Sequence, residues 1–171
     1  YLGNPLLKKA NVAQEFTQEQ ILEFMACKQD PVYFAKQHVK IVSLDEGLVP
    51  FQPYDFQERL INNFHENRFN ICKMPRQTGK STTSVSYLLH YAVFNDNVNI
   101  GILANKAATA RDLLGRLQTA YENLPKWMQQ GIISWNKGSL ELENGSKILA
   151  ASTSASAVRG MSFNILLLDE F

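Results

Sequence analysis

At 171 residues, 45% hydrophobic and 19% charged, the chain is long enough for one ordinary domain with one core, and its composition is neither disordered nor fibrous. Seventeen Lys and Arg against sixteen Asp and Glu leave a net charge of +1, so the total charge marks no nucleic-acid footprint. No apolar run approaches the ~20 residues that cross a bilayer, and no basic-then-apolar leader opens the sequence. Cys27 and Cys72 stand far apart with no histidine at metal spacing, which reads as two reduced thiols in a cytosolic protein. His38, His65 and His90 are scattered, and none reads as a ligand. Both ends read as cut: Tyr1 is not an initiator, and Phe171 follows directly on a strand-like run.

Residues 1–16 carry little pattern and read as an arm. Thr17-Gln18-Glu19-Gln20 is a capping box, with Ile21, Phe24 and Met25 following at helical spacing. Asp30-Pro31 is a second helix start, a cap followed by proline at the first helical position. Residues 43–53, with Gly47, Pro50 and Pro53, read as a loop, so residues 1–50 form a helical N-terminal portion ahead of a core at 51–171. A helix is expected from about Tyr54 to Phe64, with Gln57, Leu60, Ile61 and Phe64 on one face, and a short strand from Phe69 to Met74. Val85, Leu88, Leu89, Ala92 and Val93 then mark an amphipathic helix. Val98 to Ala104 reads as a second strand, and Ala110 to Leu124 as a helix stopped by Pro125. This alternation predicts an α/β fold with a mostly parallel sheet. Ile132 to Trp135 is a short run, and Ser139 to Glu143 and Lys147 to Ala150 flank Asn144-Gly145, a strong hairpin signal. Ser152 to Ser162 is a small-residue loop, and Asn164 to Leu168 is an apolar run expected to be a strand buried on both faces.

Met74-Pro75-Arg76-Gln77-Thr78-Gly79-Lys80-Ser81-Thr82 lies between the expected strand and the expected helix. Strand, glycine turn, lysine, hydroxyl and helix is the order in which a P-loop holds nucleotide phosphates. Phosphate charge must be met by inward donors, and backbone N–H groups from Gln77 to Ser81 at a helix N-terminus supply them. Gly79 lets the backbone turn, Lys80 would reach the phosphates, and the Ser81 hydroxyl would ligate Mg²⁺. The pattern is incomplete, because Met74 stands where the usual motif has its first glycine. Taken alone, the stretch also fits an ordinary strand-to-helix turn with a surface lysine.

Asp169-Glu170 ends the last apolar run. Ionised acids at the end of a buried strand are costly unless paired or metal-bound, and that strand end is where α/β sheets hold ligands. Asp169 would hold Mg²⁺ and Glu170 would polarise an attacking water. Arg76 is placed to meet charge developing on a γ-phosphate. Gln52 and Gln57 carry amides suited to an adenine edge, with Tyr54 or Phe56 to pack on the base. Arg159-Gly160 is a candidate phosphate or DNA contact. Each of these also fits an unremarkable surface or core role when read alone.

Four stretches occur in order: Arg-Gln-Thr-Gly-Lys-Ser-Thr from Arg76, Trp-Asn-Lys-Gly-Ser-Leu-Glu-Leu-Glu-Asn-Gly-Ser from Trp135, Ala-Val-Arg-Gly-Met-Ser-Phe from Ala157, and Leu-Leu-Leu-Asp-Glu ending at Glu170. With them the chain resembles the large terminase subunit of tailed bacteriophages, nearest the T-even-like group. The resemblance runs from Asn4 through Glu170. It implies a P-loop ATPase of the additional-strand, catalytic-glutamate type, the N-terminal part of a motor that drives double-stranded DNA into procapsids in the host bacterial cytoplasm. It implies ATP and Mg²⁺ as cofactors, and the portal protein and small terminase subunit as partners of a ring oligomer, with no membrane. That family's phosphate loop departs from the usual pattern in the same way, with Arg-Gln before Gly-Lys. Its γ-phosphate arginine falls on Arg76, its adenine glutamines on Gln52 and Gln57, its Mg²⁺ aspartate on Asp169 and its catalytic glutamate on Glu170. Its threonine-rich coupling motif and its nuclease domain are not among these residues. A helicase-type translocase, and a nucleotide-binding or assembly module that does not hydrolyse, remain the alternative readings.

Overall fold

The computed structural model describes residues 1–170, with Ala157 described by its backbone alone. Both early helix signals act as expected. In α1 (Gln18–Gln29) the Thr17 hydroxyl accepts from the Gln20 N–H at 3.2 Å, while the Gln20 side chain accepts from the Thr17 N–H at 3.0 Å. In α2 (Pro31–His38) the Asp30 carboxylate accepts from the N–H groups of Val32 and Tyr33.

The loop expected at 43–53 is not all loop. Lys40–Ser43 (β1) and Gly47–Pro50 (β2) pair as an antiparallel hairpin, turned at Gly47, whose φ of 75° suits glycine. Pro50 is tolerated because it closes an edge strand that has no further neighbour.

Helix α3 (Asp55–Glu66) buries Gln57 and Ile61, as its spacing predicts. The strand expected at Phe69–Met74 does not form: the segment pairs with no strand among the described residues. Phe69 and Ile71 are 82% and 98% exposed there. An apolar run reports a segment suited to a sheet. Whether a ladder forms depends on a neighbouring strand, and no described strand lies beside it.

The rest follows the expected alternation. Helix α4 (Lys80–Phe94) leads to β3 (Asn99–Ala104), α5 (Ala107–Glu122), β4 (Ile132–Trp135), β5 (Ser139–Leu142), β6 (Lys147–Ser152) and β7 (Ile165–Asp169). A single 3-10 turn, Ser156–Val158, interrupts the small-residue loop. The sheet order is β4-β5-β6-β3-β7. Strand β3 is parallel to both β6 and β7, whereas β4-β5-β6 run antiparallel, so the sheet is mixed. Asn144-Gly145 turns the β5–β6 hairpin, with Gly145 at φ 82°.

One face of this sheet packs under the helices. Ile100, Ile102, Leu140 and Ile148 point into a core shared with Phe34, Ile61, Leu89, Leu114 and Tyr121. Helices α1 and α2 join the same core through Cys27, Phe34 and Ala35. Residues 1–16 lie against β4, where the Lys8 carbonyl accepts from the Ile132 N–H at 3.1 Å. Buried Gln129 accepts from the Lys8 N–H and donates to the Leu6 and Leu124 carbonyls, fixing the arm.

Strand β7 departs from expectation. Ile165 and Leu167 face the core, but Leu166 and Leu168 are 46% and 45% exposed on the opposite face. The apolar run is therefore covered on one side only. No described helix packs on the other side, although the Leu166 and Phe163 side chains close over Gly101.

Candidate functional site

The loop before α4 owes its shape to two left-handed residues. Gln77 has φ 61° and Gly79 has φ 74°. Left-handed positions in such loops turn successive N–H groups towards one concave side. The Thr78 hydroxyl donates to the Pro75 carbonyl at 2.9 Å and closes the turn. The Thr83 hydroxyl donates to the Gly79 carbonyl at 2.8 Å and fixes the loop to the first helical turn. The backbone N–H groups of Gly79, Lys80, Ser81 and Thr82 meet no acceptor among the described residues. These are the orphan donors of a helix N-terminus, where the macrodipole also favours negative charge.

Lys80 heads this helix and is half-buried, and no carboxylate among the described residues pairs with it or with exposed Arg76. The Lys80 charge reaches Cys72, where it partly offsets the burial that pushes the thiol up. The loop therefore presents uncompensated positive charge beside unpaired donors. Its chemical capacity is to bind a multiply charged anion such as a phosphate chain.

Gln57 is placed differently from an adenine reader. Its amide nitrogen donates to the Thr78 carbonyl at 3.2 Å, and its amide oxygen accepts from the Tyr54 N–H at 2.9 Å. Only 4% of its surface is exposed. A Cβ added at Gly79 would run into that same amide nitrogen. So Gln57 braces the loop before α4 against α3, and a side chain at Gly79 is disfavoured both by its φ and by the space that the amide occupies. Sequence reasoning gave Gln57 to the base and passed over Thr83. Gln57 at the third helical position accepts from the Tyr54 N–H as in one half of a capping box, but with Tyr54 rather than Ser or Thr at the cap the sequence carries no clear signal of it.

Gln52 is exposed and has no side-chain hydrogen bond among the described residues. The rings of Tyr54 and Phe56 stack with centroids 5.9 Å apart and planes 13° apart, Tyr54 being 70% exposed. The exposed Tyr54 face is the kind of surface on which a planar group can stack. Arg159 follows the 3-10 turn and is exposed.

Asp169 closes β7 level with Ala104 of β3, at the carboxyl ends of two parallel strands. Glu170 follows with φ 51°, a left-handed conformation that is uncommon away from glycine. Among the described residues neither acid forms an ion pair. The acids and the loop are thus two separate groups of uncompensated charge, one at a sheet end and one at a helix start. The donor set fits Mg²⁺-nucleotide chemically: hydroxyl and carboxylate oxygens from Ser81 and Asp169 for the hard cation, N–H and ammonium groups for the phosphates.

The family model described as terminase large subunit, T4likevirus-type, N-terminal, matches residues 71–171, which includes the loop, the hairpin and the acid pair. The chain belongs to this family. Among solved structures it is similar to the large terminase of bacteriophage HK97, with a TM-score of 0.66 at 19% identity. That match covers 82% of this chain and 30% of the other, so the chain spans under a third of the HK97 protein's length. At this identity the likeness concerns the fold, which the two share as a mixed α/β architecture.

Proposed function

We propose that this terminase chain carries the nucleotide-binding part of a P-loop ATPase of the additional-strand type, which powers double-stranded DNA packaging in the full-length protein. The observation that carries the reading is the row of unpaired N–H groups from Gly79 to Thr82, set around an unpaired Lys80. Water can meet such donors at any helix start, but here the left-handed turns at Gln77 and Gly79 and the unpaired Lys80 set them beside a cation, an arrangement that favours a phosphate-type anion. Family membership supports a packaging role and makes ATP the natural anion.

In this reading Lys80 and the loop N–H groups hold the phosphates, and Ser81 with Asp169 holds Mg²⁺. ATP with Mg²⁺ supplies the phosphoanhydride whose cleavage drives the motor. Arg76, exposed on the loop, offsets negative charge developing at the terminal phosphate. Glu170 orients and polarises the water that attacks it. Tyr54 and Phe56 offer the base a stacking surface, and Gln52 is the amide free to meet its edge. The partners in packaging would be the DNA, the portal protein and the small terminase subunit, in a ring assembled in the host bacterial cytoplasm.

The test is binding of Mg²⁺-ATP by the full-length protein and by its Lys80→Ala variant. Wild type is expected to bind and the variant to lose binding. Equal affinity in the two would end the phosphate-loop reading.

A further inference from the structure

Helices α1 and α2 carry a cluster that nucleotide binding does not use. Glu23 and Cys27 stand four residues apart on α1, so their side chains share one face. His38, the last residue of α2, is folded against them. Its Nε2 lies 2.8 Å from Glu23 Oε1, and Cys27 Sγ lies 3.6 Å from the same oxygen. All three ligand-type atoms fall within 4.8 Å of one another. The Tyr33 hydroxyl donates to the other oxygen of Glu23 at 2.9 Å. Cys27 is fully buried, whereas the His38 and Glu23 side chains are 14% and 29% exposed. The cluster therefore has a dry sulfur at its floor and solvent at its mouth.

We propose that Glu23, Cys27 and His38 bind a zinc ion. A thiolate, an imidazole and a carboxylate form a donor set that zinc accepts, and one that hard, all-oxygen cations such as Mg²⁺ do not select. Zinc bonds of about 2.0–2.3 Å place tetrahedral ligands roughly 3.3–3.7 Å apart. The sulfur–oxygen pair already has that spacing. The His38–Glu23 pair needs to open by about half an ångström, which the ion itself would drive as it replaces their mutual contact. The Tyr33 hydrogen bond holds the second carboxylate oxygen, orienting Glu23 to bind through one oxygen. Water fills the fourth position from the open side.

Without metal, Cys27 carries its proton, because burial and then the Glu23 charge push the thiol up to about 12. Zinc binding forms the Zn–S bond and releases the thiol proton to solvent, with no change of oxidation state. Affinity therefore rises with pH. The bound ion would tie α1 to the end of α2. The Cys27 carbonyl is also hydrogen-bonded to His90 Nε2 at 2.8 Å, which connects the site to α4, the helix that Lys80 begins.

The experiment titrates metal-stripped full-length protein with Co²⁺ as a spectroscopic probe and then with Zn²⁺. A thiolate-to-cobalt charge-transfer band is expected, bleached by Zn²⁺, lost in Cys27→Ser and kept in Cys72→Ser. Because Cys27→Ser alters a buried position, His38→Gln, which changes a side chain near the surface, is the second variant. With folding verified by circular dichroism, it is expected to weaken zinc at least about ten-fold in competition with a chromophoric chelator. No thiolate band, a band that Cys27→Ser leaves at full strength, or unchanged zinc affinity in His38→Gln would overturn the site.

Discussion

The side-chain amide of Gln57 donates to the backbone carbonyl of Thr78 at 3.2 Å, so one helix holds the loop before α4 through a single buried glutamine. Both ends of that amide are committed within the protein, which leaves Gln57 poorly placed to choose between bases. Gln57→Ala is therefore expected to weaken ATP and GTP binding by the same factor. It should also cost about 1–3 kcal/mol of stability, because the Thr78 carbonyl and Tyr54 N–H lose a buried partner. Calorimetric titration with both nucleotides checks this. A selective loss of ATP affinity would mean that the side chain reads adenine after all.

Gly79→Ala combines two penalties. The left-handed φ of 74° disfavours any Cβ, and the added methyl meets the Gln57 amide. Stability is expected to fall by about 1–3 kcal/mol from the backbone alone, and nucleotide binding to fall with it. In the double variant Gln57→Ala/Gly79→Ala the clash disappears while the backbone penalty stays. The double loss should thus be smaller than the two single losses added, a coupling that denaturant unfolding of the four proteins measures. Strict additivity would show that the amide and the glycine do not constrain each other.

Glu170→Gln keeps the size of the side chain and its hydrogen bonding but removes its charge. In the full-length protein it is expected to lower ATP turnover at least about 10²-fold while leaving Mg²⁺-ATP affinity within about two-fold. Turnover close to wild type would remove Glu170 from the chemistry.

His90 supplies a pH dependence. It is 2% exposed, between Phe34 and Phe94, with His65 against its ring, and its Nδ1 has no partner. Burial, assisted by His65 and opposed by the Cys27 carbonyl, pushes its pKa down to about 4 from an ordinary 6.5. The folded protein thus holds His90 neutral, while the unfolded chain takes up a proton below pH 6.5. Stability is full above that value and declines as pH falls towards about 4, by about 3 kcal/mol at most. Urea unfolding across this range should show the decline in wild type and a flatter profile in His90→Leu. Matching profiles would assign the acid sensitivity to other groups.

The elements that could be read from the sequence were those with local causes. Thr17 and Gln20 cap each other within one turn, Asp30-Pro31 starts its helix from its own residues, and Asn144-Gly145 signals its turn in the dipeptide itself, although Asn144 is also tied to the Ala92 and Asn95 carbonyls. Lys80, Ser81 and Asp169 were legible as candidates because their chemistry follows residue order: loop before helix, acid after strand. The hairpin at Lys40–Pro50 was hidden, since Gly47 and Pro50 read as loop signals until paired. The extended run at Phe69–Met74 and the open face of Leu166 and Leu168 were misjudged for one reason. Hydropathy records how well a segment suits burial, whereas burial itself needs a neighbour.

Local sequence by itself determined where helices start, where the hairpin turns and which residues could meet a phosphate. Tertiary structure alone decided that Gln57 faces the loop and that Cys27 and His38 come together beside Glu23. Those relationships join residues from different elements. A side chain's partner is set by how elements pack, through contacts whose energies depend on distances that residue order does not encode.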